Sequence, residues 1–96
     1  MDIQRVSVQE FKAGHGSVGT TAQKASTLAL RAVKGVKIKA DLGNTDNVYV
    51  GHDTNVTSSN GYQLDAGEEV TVEIDSLDKV WVIGGAAAQG YSWLAI

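Results

Sequence analysis

The sequence predicts an all-β protein, a single-domain antiparallel β-sandwich of jelly-roll-like or barrel-like form. Three observations carry that expectation. Short apolar–polar alternations recur along the chain, the pattern of strands with one buried face. Turn-forming residues separate them at short intervals, as in sandwiches and barrels. Proline is absent and glycine is frequent, so Gly, Asn and Asp must make the turns. The 96 residues make one domain, 1–96, with a modest core. Residues 1–20 are an arm or an edge segment of it.

The elements follow in order. Val6 and Val8 give a short, weak alternation. Residues 22–33 leave two readings open. Thr21 caps a helix in one; in the other, Leu28 and Leu30 alternate along a strand. Val36, Ile38 and Ala40 share one face of a strand, with Lys37 and Lys39 on the other. Val48 and Val50 flank Tyr49. A further strand is expected over 56–62, with Asn60-Gly61 as a type I′ hairpin turn. Strands are also expected over 64–69 and 70–75, where Val70, Val72 and Ile74 face in. Val80 and Val82 share a face, which leaves Trp81 and Ile83 on the other. Residues 84–90 are small and form a close-packed loop. The last strand, 92–96, pins the end of the chain into a sheet.

Bulk composition narrows the function classes. Hydrophobic residues make up 43% and charged residues 20%, ordinary values for a globular protein. A net charge of −3 argues against a nucleic-acid partner held through phosphates. There is no cysteine, hence no disulfide and no thiolate metal site. No apolar run follows Met1-Asp2-Ile3-Gln4-Arg5 as in a signal peptide, and no segment has the roughly 20 apolar residues of a membrane span. No membrane partner is expected.

Motifs that resemble chemistry are weak. Gly14-His15-Gly16-Ser17-Val18-Gly19 matches G-x-G-x-x-G, and Asp41 follows the next strand at about the distance of a ribose contact. Yet Lys12 and Ala13 precede it where a buried parallel strand would be apolar. The rest of the chain supplies strands instead of βαβ units. A flexible glycine loop is the plainer reading. His15 and His52 sit in loops without partners at metal-ligand spacing. Asp41, Asn44, Asp46, Asn47 and Asp53 are oxygen-rich, but their spacing suits Asx turns better than a calcium loop. Asn55-Val56-Thr57 is a sequon that matters only in a secretory pathway. No catalytic, cofactor-binding or metal-binding residue is therefore expected.

The charges are grouped. Arg31, Lys34, Lys37 and Lys39 form a basic stretch, while Asp65, Glu68, Glu69, Glu73, Asp75 and Asp78 form an acidic one. Cross-strand pairs on a solvated face account for this, as does a bipolar surface meeting a neighbouring subunit. The aromatics give a sharper hint. Trp81 and Ile83 line one face of a late strand; Tyr91, Trp93 and Ala95 line one face of the last. Both strands are apolar on both sides. Either both faces are covered within the fold, or Trp81, Ile83, Tyr91 and Trp93 form a self-association interface.

The pattern Asn44-Thr45, Val48-Tyr49-Val50-Gly51, Leu64 with Gly67-Glu68, Val80-Trp81-Val82-Ile83-Gly84 and Ser92-Trp93-Leu94 resembles small β-rich virion proteins of tailed bacteriophages. The resemblance covers roughly residues 35–96. It implies a non-enzymatic capsid-decoration or head-fibre-base protein, often a homotrimer, on the outside of an icosahedral head. Its partners would then be its own copies and the major capsid protein, with residues 1–20 gripping the lattice. The alternative is a ligand-binding β-module for carbohydrate or a cell surface, which requires an exposed Trp beside a polar groove.

Overall fold

Val36, Ile38 and Ala40 are fully buried while Lys37 and Lys39 reach outward, as their alternation requires. The computed structural model describes residues 11–96. These form eight strands: β1 (Lys12–Val18), β2 (Gln23–Lys24), β3 (Val36–Ala40), β4 (Val48–Gly51), β5 (Tyr62–Leu64), β6 (Glu69–Val72), β7 (Trp81–Gly84) and β8 (Gln89–Ala95). A single 3-10 turn, Leu77–Lys79, precedes β7.

The strands make two four-stranded sheets, ordered β1-β8-β3-β6 and β2-β7-β4-β5, with every named pairing antiparallel. First pairs with last, second with seventh, third with sixth, fourth with fifth. That nested pairing is a long hairpin rolled over itself, the jelly roll. The sandwich reading therefore holds, and the jelly-roll form of it is the one adopted.

One core lies between the sheets. β3 and β8 supply Val36, Ile38, Tyr91, Trp93 and Ala95 from one side; β4, β5 and β7 supply Val48, Val50, Leu64 and Val82 from the other. Each large aliphatic side chain so buried contributes about 1.5–3 kcal/mol relative to exposure.

Several local expectations need correction. Gly14–Gly19 is no flexible loop: Gly14, Gly16 and Val18 belong to β1, paired along its length with β8. Gly14 lies opposite Trp93 and Gly16 opposite Tyr91, and a Cβ at either position would run into the aromatic ring. The glycines are there because rings from the neighbouring strand occupy the space a side chain would take, a recognised way of covering strand glycines. Among the described residues, 12–18 are thus an edge strand and not an arm. The expected Val6–Val8 strand and residues 1–10 of the expected arm lie outside the described residues.

Residues 22–33 contain no helix. They hold the two-residue β2 and an isolated bridge between Arg31 and Ser76. β3 beyond them is antiparallel to both its neighbours, so the βαβ context of a dinucleotide site is missing. The strand expected over 56–62 is mostly a loop, and β5 begins only at Tyr62. Asn60-Gly61 is not a two-residue type I′ turn, because neither residue has positive φ. Instead Thr57 and Asn60 cap each other, the Thr57 N–H donating to Asn60 Oδ1 and the Asn60 N–H to Thr57 Oγ1.

Two connections set the edges of the sandwich. Between β5 and β6, the Glu68 N–H donates to the Asp65 carbonyl, with Gly67 at φ +86° in the position where a type II turn needs positive φ. The Gly67 N–H donates to Ala40 O, and the Ala40 N–H to Glu68 O. Two residues thus oppose one, a glycine bulge that starts β6. Between β3 and β4, the Asx-rich segment is stitched to β8. Asn44 and Gly90 exchange side-chain and backbone hydrogen bonds, each 2.8 Å. The buried Gln89 side chain accepts from the Asp46 N–H and donates to Thr45 Oγ1 and Ala87 O. These residues make loop structure, as their turn chemistry suggested.

Candidate interaction surfaces

The outer face of the β2-β7-β4-β5 sheet is built from cross-strand neighbours. Lys24, Trp81 and Gly51 form one row; Ile83, Tyr49 and Gln63 form the next. Its centre, formed by Trp81, Ile83 and Tyr49, is apolar where a solvated sheet would be polar, while Lys24 and Gln63 at its margins are exposed. The loop over 52–61 folds back onto part of it. Val56 fills the space over Gly51, and Gly61 lies against Tyr49 and Val56. Val56 and Tyr49 are consequently buried, at 5% and 9% exposure, outside the main core. Trp81 and Ile83 remain half-buried at the border of this second apolar layer.

Trp81 and Ile83 therefore sit where the sequence pattern placed them, on the face opposite Val80 and Val82. Tyr91 and Trp93 do not join them. They belong to the other sheet and face inward, at 1% and 7% exposure. The Tyr91 hydroxyl donates to the Ala25 carbonyl (2.6 Å) and accepts from Gln23 Nε2, tying β8 to the segment beside β2 in the opposite sheet. Burial pushes the Tyr91 phenol above the ordinary tyrosine range. Both β7 and β8 are interior strands of their sheets, which is one reason for their two-sided apolar character.

A second feature was not anticipated from the sequence. At the side of the sandwich where β5 and β6 are, among the described residues, the edge strands, the two sheets gape around a groove of about 450 Å³. Val50, Tyr62, Val70, Val72, Ile74 and Val80 line it, with His52, Asn60 and Lys79 among its polar groups. The half-buried state of Val70, Val72 and Ile74 was the available signal: their alternation announces a buried face, but among the described residues no strand lies beyond β6 to complete the cover. Near one end, Lys79 donates to Asp75 at 2.8 Å. That bond holds the Asp75 carboxyl below its usual range and lifts the Lys79 ammonium.

The outer face of the other sheet is polar. Lys37 pairs with Glu69 across β3 and β6 at 3.4 Å, the cross-strand pairing that the grouped charges suggested. His15 also lies on this sheet, opposite Ser92, and His52 approaches Asp53 at 3.3 Å on an exposed loop. Among the described residues, no three His, Asp or Glu side chains meet as a metal site requires, and no helix is long and apolar enough to cross a membrane. The chain matches no protein-family model and no curated protein sequence.

Proposed function

We propose that this chain is a non-enzymatic structural protein of a tailed-phage particle, a capsid-decoration or head-fibre-base protein that self-associates, as a homotrimer, on the major capsid protein. The resemblance over residues 35–96 supplies the virion context. The observation that carries self-association is the outward apolar strip of Trp81 and Ile83, which the 52–61 loop covers only in part. The jelly roll is compatible with this role, although the same fold serves capsid proteins, lectins and cupins.

The test is sedimentation at micromolar concentration, together with co-purification on intact heads. A trimer that travels with heads supports the proposal. A strict monomer that stays free in the lysate overturns it.

The ligand-binding alternative keeps one supporting observation: Trp81 is only partly buried, with Lys24 beside it in register. A glycan array separates the two readings. Glycan binding lost in Trp81→Ala, by a protein that does not assemble, would favour the module.

A further inference from the structure

We infer that the open β5–β6 side of the sandwich is a docking site for an extended peptide strand, apolar at alternate positions and basic at those between. This goes beyond the proposed assembly, because the occupant is a foreign strand and not another copy.

The backbone argument comes first. Ala40 bonds to Glu68, and Gly35 exchanges bonds with Ile96 while Asp41 bonds to Gly90. Bonding direction alternates along an antiparallel strand. Val36, Ile38 and Ala40 therefore bond to β6, and the odd-numbered residues of β3 bond to β8. Across from them, Val72 and Val70 turn their N–H and C=O groups toward β3. Those of Glu69 and Thr71 point off the sheet edge. An added antiparallel strand would meet two ready donors and acceptors there, the chemistry of strand addition.

The side-chain argument selects the sequence. Val70, Val72 and Ile74 present half-buried apolar surface to a groove large enough for several side chains. Alternate residues of an added strand would drop into it. The intervening residues would lie beside Glu69, Thr71 and Glu73. Exposed Asp65 and Glu68 border the same edge at the turn into β6, while Lys37, paired with Glu69, and Lys39, opposite Glu69 in register, are the cations on that face and leave the acids in excess. Charge complementarity therefore calls for Lys or Arg at the intervening positions.

The probe is a fluorescein-labelled heptapeptide alternating Lys and Val, compared with one alternating Glu and Val, titrated by anisotropy against the full chain. The Lys peptide is expected to bind at least tenfold more tightly. Thr71→Pro removes only an outward N–H, a change that edge strands tolerate. It should keep the melting temperature and weaken binding by about tenfold, the scale of a lost main-chain pairing. Should Thr71→Pro fail to fold, Glu69→Lys with Glu73→Lys should reverse the preference between the peptides. Amide exchange supplies a direct readout: the Glu69 and Thr71 N–H groups should exchange fast in the free protein and slowly at peptide saturation. Four results would overturn the inference. They are no binding by either peptide, equal binding by both, edge amides already protected in the free chain (the groove then being covered by the chain itself), and displacement of the peptide by a fluorescent fatty acid whose own binding ignores Thr71→Pro.

Discussion

At the scale of single residues, the glycines of β1 and the aromatics of β8 act as one unit. A Cβ at Gly14 would overlap the Trp93 indole, and one at Gly16 would lie 2.5 Å from the Tyr91 ring. Neither ring can move away, because both are buried in the core. Gly14→Ala and Gly16→Ala should each destabilise the fold by about 1–3 kcal/mol, the usual cost of overpacking. Gly43→Ala is the control: its Cβ would meet nothing within 4 Å, and its φ is not positive, so its denaturation midpoint should match the parent. Tyr91→Phe should cost about 1–3 kcal/mol by stranding the Ala25 carbonyl. It also removes a pH dependence. Below pH about 10 the phenol is protonated in both folded and unfolded chains, and its stabilisation is fully present. As pH rises past that value the unfolded chain ionises first, because burial raises the folded pKa. Stability therefore falls until the folded phenol ionises too. Denaturant titrations from pH 9 upward should show a shallower alkaline loss in Tyr91→Phe than in the parent; parallel curves would count against the buried hydroxyl.

At the scale of elements, positive φ and bulge geometry decide where strands begin. Gly67 both completes the turn from Asp65 and opens the bulge opposite Ala40. Gly67→Ala should cost about 1–2 kcal/mol from the left-handed backbone, the exposed Leu42 side chain that its Cβ would meet being free to swing aside. Thermal unfolding checks this, and an unchanged midpoint would mean the turn has another solution. The same scale shows what the sequence made legible. β3, β4, β7 and β8 announced themselves because each alternates, with β-branched or aromatic residues on the buried face. The inside and outside of β7 were read correctly from Val80, Trp81, Val82 and Ile83. β1 was missed because its inward positions include Gly14 and Gly16, which carry no side chain to alternate. What fills those positions comes from β8, at the far end of the chain, and periodicity within β1 cannot show it. The 56–62 segment was misread for the opposite reason. Its Thr, Ser and Asn residues suit strand edges, yet here they bond to one another to cap a loop, while Val56 buries itself on the outer face.

At the scale of the whole molecule, the jelly roll separates two roles that the sequence had merged in its late aromatics. Rolling the hairpin brings β8 and β7 into different sheets. Trp93 then faces the core and Trp81 faces out, so Trp93 reports on folding and, under the proposed self-association, Trp81 reports on assembly. Trp93→Ala should cost about 3–5 kcal/mol, as large core truncations do. Against a total stability of about 5–15 kcal/mol for a small domain, much of the protein should unfold at moderate temperature. Trp81→Ala gives up only partial burial and should cost about 1–2 kcal/mol. Sedimentation equilibrium combined with near-ultraviolet circular dichroism resolves the two effects. Trp81→Ala should keep the folded spectrum while shifting the population toward monomer, and Trp93→Ala should lose the spectrum first and assembly only as a consequence. If Trp81→Ala assembles like the parent, self-association uses a surface other than the outer face of β7.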